Sequence, residues 1–125
     1  MTRPRPDLPQ RIAQAVAGLE AVTGLKGSNP AWLDPHGYYV YVLWFDDGRI
    51  PMRPIYIGQS ENILARLGDH MRNTEKRNLT SRVTLLRCNS KPQMDETELR
   101  LIRHYRPQLN VTGNPDASRR PREAA

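Results

Sequence analysis

The sequence predicts an α+β domain: a small three-stranded antiparallel sheet, ordered β-β-α-β-α, flanked by helices and preceded by an extra N-terminal helix. Three observations predict it. Tyr38 to Phe45 is a run rich in aromatic and β-branched residues. A shorter strand-like run ends at Ile57, behind a turn at Asp46-Asp47-Gly48. Two segments with apolar residues at helical spacing then bracket a third strand-like run, Arg82 to Cys88.

The first helix is expected from Pro9 to Thr23. Asp7 can cap it with Gln10 three residues on, Gly24 can end it, and Leu8, Ile12, Val16 and Leu19 recur along one side. Its other side is rich in Ala and Gln, which fits an accessory helix laid on a core. Residues 24–36 read as a linker containing Gly27, Ser28, Pro30 and Pro35, pinned by Trp32 and Leu33. The run from Tyr38 is apolar on both faces and so reads as a central strand. Pro51 and Pro54 interrupt the next strand, so only Ile55 to Ile57 is expected to pair fully. Ser60 can cap a helix from Glu61 to about Arg72, with Ile63, Leu64, Leu67 and Met71 as its apolar face. Residues 73–81 are polar and suit an exposed loop. Ser90-Lys91-Pro92-Gln93 is a capping box that starts a helix to Tyr105, and Pro107 stops it.

This organisation divides the chain into an N-terminal extension with helix and linker, residues 1–36, a central domain, residues 37–112, and a basic tail, residues 113–125. The tail holds Arg119, Arg120 and Arg122 with almost nothing apolar, so it is expected to be disordered. At 125 residues there is room for one domain, and 38% apolar residues can supply one modest core. Lys and Arg outnumber Asp and Glu by 19 to 13, which favours a polyanionic partner. The single cysteine, Cys88, excludes an internal disulfide and a cysteine zinc cage, and its apolar surroundings predict a buried, inert thiol. No apolar run approaches a membrane span, and the basic N-terminus lacks the apolar core of a signal peptide, so a cytoplasmic location and no membrane partner are expected.

Several polar residues sit where packing does not require them. Glu98 falls on the apolar stripe of the last helix with Met94, Leu101, Ile102 and Tyr105, whereas Glu96 and Arg100 point elsewhere. A carboxylate there is costly unless it is paired or binds a metal. Arg66 and His70 are one helical turn apart and share a helix shoulder. Arginine suits a phosphate held by two hydrogen bonds. Tyr39 and Tyr56 sit at opposite ends of two adjoining hairpin strands, an arrangement that can bring both to one end of the sheet. Gly58 lets the backbone turn sharply into the next helix. Tyr38 and Tyr41 read as core or support. His36 and His104 read as loop and helix-surface residues.

Taken together, these residues resemble the GIY-YIG nucleases. Gly37-Tyr38-Tyr39 stands where the first signature belongs, with Tyr38 in place of the usual isoleucine, and Tyr56-Ile57-Gly58 is the second signature unchanged. Arg66, His70, Glu98, the Leu101-Ile102 pair, Pro107 and Asn110 follow in the family's order. The stretch between the signatures is longer than in the shortest members, which implies an extended hairpin. The resemblance covers about Gly37 to Asn110. It implies a divalent-metal-dependent endonuclease that hydrolyses DNA phosphodiester bonds, acting alone or with a partner. Glu98 would hold one Mg²⁺ or Mn²⁺. Arg66 would hold the phosphate. Tyr39 would activate the attacking water, with His70 as the rival base. Tyr56 would orient phosphate or water, with Gly58 and Asn110 supporting the site. Nucleic acid is the implied partner, DNA above all; a protein partner or a homodimer stays open. So do a non-catalytic nucleic-acid-binding module and a nuclease for RNA, single-stranded or branched substrates.

Overall fold

The structure is a computed structural model, and it describes residues 7–28, 36–46, 52–74, 77 and 80–110. The terminal segments, Trp32 and Leu33 of the linker, the tip of the Asp46-Asp47-Gly48 turn and part of the expected exposed loop lie outside the described residues.

The first helix, α1, runs Leu8–Thr23. Asp7 caps it by accepting the Gln10 N–H at 2.9 Å, and Gly24 ends it with φ of 71°, its N–H donating to the Glu20 carbonyl at 2.7 Å. Two residues, Gly27–Ser28, then form a short strand β1. The other strands are β2 (Tyr38–Trp44), β3 (Pro54–Ser60) and β4 (Arg82–Cys88). Helix α2 (Ile63–Arg72) links β3 to β4, and α3 (Lys91–Tyr105) follows β4. The Ser90 hydroxyl caps α3 by accepting the Gln93 N–H at 3.2 Å.

The sheet has four strands in the order β1-β4-β2-β3, not three, and these neighbours pair antiparallel. The added strand pairs Gly27 with Leu86 and Ser28 with Leu85. Glycine and serine carry no strand signal. What holds β1 is tertiary: the Glu20 carboxylate accepts the Gly27 N–H at 2.8 Å. A Cβ at position 27 would sit 2.8 Å from Val16 Cγ1 and 3.0 Å from Thr84 Cγ2, so only glycine lets the backbone come this close to α1. The β3 ladder also runs further than the prolines suggest. It pairs from Pro54 to Ser60, with an irregularity at Leu43/Trp44 taking up the proline end.

Strand β2 is central and buried on both faces. One face carries Val40, Val42 and Trp44, packed with Ile57, Leu86 and Cys88 under α1 (Ala15, Leu19) and α3 (Met94, Leu101, Ile102). Trp44 Nε1 donates to Thr84 Oγ1 at 2.9 Å, so the buried indole is satisfied. Arg11 reaches from α1 to both Asp46 oxygens at 2.5 and 3.0 Å, tying the helix to the end of β2. The other face carries Tyr39, Tyr41 and Leu43 with Leu85, closed by Ile63 of α2. This second, smaller core is where the chemistry-bearing residues gather. Among the described residues, no helix is long and apolar enough to cross a membrane.

Candidate active site

Register decides which tyrosines meet. Tyr41 lies opposite Gly58, Leu43 opposite Tyr56, and Tyr39 opposite Ser60. Opposed residues share a face, so Tyr39, Tyr41, Tyr56 and Gly58 all belong to the α2 side of the sheet. The Tyr41 ring folds across Gly58, where any Cβ would collide with its Oη and Cζ. Gly58 therefore does not make a sharp turn into α2, because β3 continues two residues past it. Its missing side chain is the space the Tyr41 ring occupies.

Beyond Gly58 the Tyr41 Oη meets His70 Nε2 at 2.6 Å. Tyr56 stacks on Tyr41 with ring centroids 6.0 Å apart and meets His70 edge-on at 5.0 Å. The three rings form one cluster. Tyr41 is 1% exposed and His70 5%, whereas Tyr56 is only partly buried. Tyr56 is thus the member that faces outward. Helix α2 supplies His70 in its last turn and the exposed Arg66 one turn earlier. Ser60 does not cap α2. Its hydroxyl accepts the Asn62 N–H at 2.9 Å, and Asn62 holds the N-cap position without a side-chain cap bond.

The electrostatics join elements that the sequence separates. Burial is the main cause that pushes the Tyr41 phenol above its ordinary range; Tyr56 and Glu98 add to the rise and Arg66 opposes it. Tyr56 is also raised, first by burial; its hydrogen bond from Tyr41 and the Arg66 charge pull it down, and Glu98 pushes it up. Arg66 and Glu98 are therefore both felt by both phenols. Glu98 approaches from α3 along the outer strand β3, where Gln59 Nε2 donates to its Oε1 at 3.0 Å. Burial raises the Glu98 carboxyl, and Gln59 lowers it in part. Glu96, on the outer face, pairs instead with Arg100 at 2.8 Å.

Asn110 holds the free edge of β3. Its Oδ1 accepts the Ile57 N–H at 2.8 Å and its Nδ2 donates to the Ile57 carbonyl at 2.6 Å, as a neighbouring strand would. The Leu109 N–H extends the same edge to the Ile55 carbonyl at 2.9 Å.

The expected meeting of Tyr39 with Tyr56 does not occur. Four residues of register separate them, about 13 Å along the strands. Tyr39 is 4% exposed and lies against Gly37, where a Cβ would be 2.8 Å from its Cε2. Tyr41 and Gln59 are the site residues the sequence reading missed. The signal for Tyr41 was present: it is two residues past Tyr39 and so shares its face. The long hairpin hid which of the two reaches Gly58. His36 is exposed, and His104 stacks edge-on against Tyr105 at 4.6 Å. Cys88 is buried, and burial pushes its thiol up.

Glu98 could hold a cation. It is a half-buried carboxylate held by one neutral amide, so its charge is incompletely matched. Among the described residues no group of three or more His, Cys, Asp or Glu could enclose an ion. A lone carboxylate suits Mg²⁺ or Mn²⁺ held mostly through its own waters, and does not suit an ion that needs a full protein cage.

No protein-family model and no curated protein sequence matches this chain. Solved structures do. The GIY-YIG N-terminal endonuclease domain of UvrC from Thermotoga maritima, bound to magnesium, aligns at 23% identity with a TM-score of 0.54, covering 63% of this chain and 89% of that one. An Asn→Ala variant of the same domain, bound to its catalytic divalent cation, aligns at 21% identity and a TM-score of 0.54 over 63% and 88%. A Tyr→Phe variant aligns at 19% identity and a TM-score of 0.53 over 82% of this chain and 96% of that one. At these identities the likeness is one of fold: this chain has the fold of the GIY-YIG endonuclease domain.

Proposed function

We propose that this chain is a divalent-metal-dependent endonuclease that hydrolyses phosphodiester bonds of DNA. The observation that carries the reading is the Tyr41–Tyr56–His70 cluster with Arg66 and Glu98 in electrostatic reach of both phenols. The structurally similar domain is an endonuclease described with a catalytic divalent cation. The net charge of +6 suits a polyanionic substrate, and DNA is the one the family resemblance implies.

In this reading Glu98 would hold one Mg²⁺ or Mn²⁺, which would supply positive charge to offset the negative charge developing on the phosphate and leaving oxygen. Arg66 grips the phosphate with two N–H groups. Tyr56 faces the substrate and its Oη takes the proton of the attacking water. Tyr56 acts as the phenolate, which that proton converts to the phenol; Tyr41, bonded to Tyr56 and to His70 Nε2, stabilises the phenolate beforehand by donating to it. His70 fixes the Tyr41 hydroxyl. Tyr39 and His70, the two bases expected from the resemblance, are 4% and 5% exposed, whereas Tyr56 is only partly buried, which favours Tyr56 here.

The test is nicking of supercoiled plasmid with Mg²⁺ or Mn²⁺, with and without chelator, beside single-stranded, branched and RNA substrates. Glu98→Ala is expected to abolish cleavage and Glu96→Ala to leave it nearly unchanged. Arg66→Ala is expected to cost about 3 kcal/mol of transition-state stabilisation. Arg66→Lys is expected to recover only part, because lysine cannot make the two-pronged contact. Cleavage that ignores chelator, or equal loss in the two glutamate variants, would overturn the reading.

A further inference from the structure

The register points to Arg87 as a second phosphate-binding residue, holding the nucleic-acid backbone about five nucleotides from the bond that is cut. This rests on the nuclease reading above. Across β4, β2 and β3, Arg87, Tyr39 and Ser60 stand side by side, and the next row is Leu85, Tyr41 and Gly58. On β4 the residues facing α2 are Val83 and Leu85, both in the small core, and then Arg87, which is exposed. An apolar face thus ends in a cation at the end of the sheet where Ser60 leads into the helix that carries Arg66.

Arg87 lies two rows along the strands and two strands across from Tyr56, about 16 Å. A nucleic-acid strand advances about 3.4 Å per nucleotide, so this distance spans about five nucleotides. A backbone gripped at the Tyr56–Arg66 centre and running along this face passes the Arg87 row. The guanidinium offers a planar fork suited to a phosphate. Arg87 touches no reacting atom in this account; it positions the substrate.

The test measures binding of a short fluorescein-labelled DNA duplex in chelator across a salt series, and then cleavage with Mg²⁺. Each phosphate contact adds about 0.9 to the slope of log K against log salt. Arg87→Ala is expected to make the slope shallower by about one and to raise KM with kcat nearly unchanged. Arg87→Lys keeps the charge and is expected to restore the slope. Arg82 is exposed on the same strand, and strand alternation turns it to the opposite face, so Arg82→Ala is expected to leave slope and KM as they are. A slope and KM in Arg87→Ala equal to those of Arg82→Ala overturn this assignment while leaving the nuclease reading standing. A wild-type chain that neither binds nor cuts DNA or RNA overturns both.

Discussion

The Tyr41 ring occupies the space above Gly58 that a side chain would otherwise fill. This contact joins two segments of sequence and sets the direction of the Tyr41 hydroxyl, which then reaches His70 Nε2 at 2.6 Å. A glycine in a strand interior weakens the strand, and here it marks a close approach.

Gly58→Ala is therefore expected to destabilise the fold by about 1–3 kcal/mol, the cost of forcing a methyl group into a packed interior. It should also displace Tyr41 and with it any cleavage activity. Gly68 is the control. A Cβ there meets nothing within 4 Å, and the residue sits inside α2. Gly68→Ala is expected to stabilise by about 0.5–1 kcal/mol through helix propensity. Denaturant unfolding of the two variants checks both signs.

The three tyrosines of the α2 face should behave differently when each loses its hydroxyl. Tyr56→Phe is expected to lower kcat by about 10²–10⁴, the usual scale for a general base. Tyr41→Phe should be impaired but less so, because it removes a donor to Tyr56 and the partner of His70. Tyr39→Phe, whose ring lies against Gly37 and away from the cluster, should be nearly normal. With Tyr56 as base, the rate should keep rising above the range in which imidazole titrates, near pH 6.5. A plateau from neutral pH together with an active Tyr56→Phe enzyme would give the role to another group.

Much of this site was legible in the sequence because its residues break local rules. Glu98 interrupts an apolar stripe, and the structure finds it half-buried against Gln59 while Glu96 stays outside. Arg66 and His70 share a helix shoulder because the helical repeat is fixed. The capping residues Asp7 and Ser90 act through local geometry and are where they were expected. Register was not legible. The ten residues between Trp44 and Ile55 hide how β2 and β3 align, and a two-residue shift exchanges Tyr39 for Tyr41 on the same face. Strand β1 was hidden for another reason: the Glu20 hydrogen bond and the close packing of Val16 make it, and Gly27 and Ser28 alone carry no such information.

Asn110 offers a test of the edge clamp. Its amide satisfies both backbone groups of Ile57, and it is 5% exposed. Asn110→Ala leaves a buried N–H and a carbonyl without partners and is expected to cost about 2–4 kcal/mol. Asn110→Asp keeps the acceptor for the Ile57 N–H but turns a second oxygen toward the Ile57 carbonyl. It should therefore fall between alanine and wild type at acid pH, where a protonated carboxyl can donate, and lose stability as pH rises. Urea titrations at two pH values distinguish these outcomes.

The Glu98 carboxyl gives the last prediction its sign. Burial raises its pKa in the folded state, whereas in the unfolded chain it titrates near its ordinary value of about 4.3. From that pH up to the raised native value, the folded state binds more protons than the unfolded state. Unfolding free energy therefore falls as pH rises through this window. Below the window the contribution is fully favourable; above it the contribution is lost. Glu98→Gln keeps an acceptor for Gln59 and has no proton to lose, so this part of the pH dependence should vanish. A cation on Glu98 should restore what ionisation removes. Mg²⁺ at 100 times its Kd would add about 2.7 kcal/mol to the wild type at neutral pH. The same addition should leave Glu98→Gln nearly unmoved. Thermal melts of both proteins with and without Mg²⁺ provide the measurement, and an equal shift in the two would remove Glu98 as the ligand.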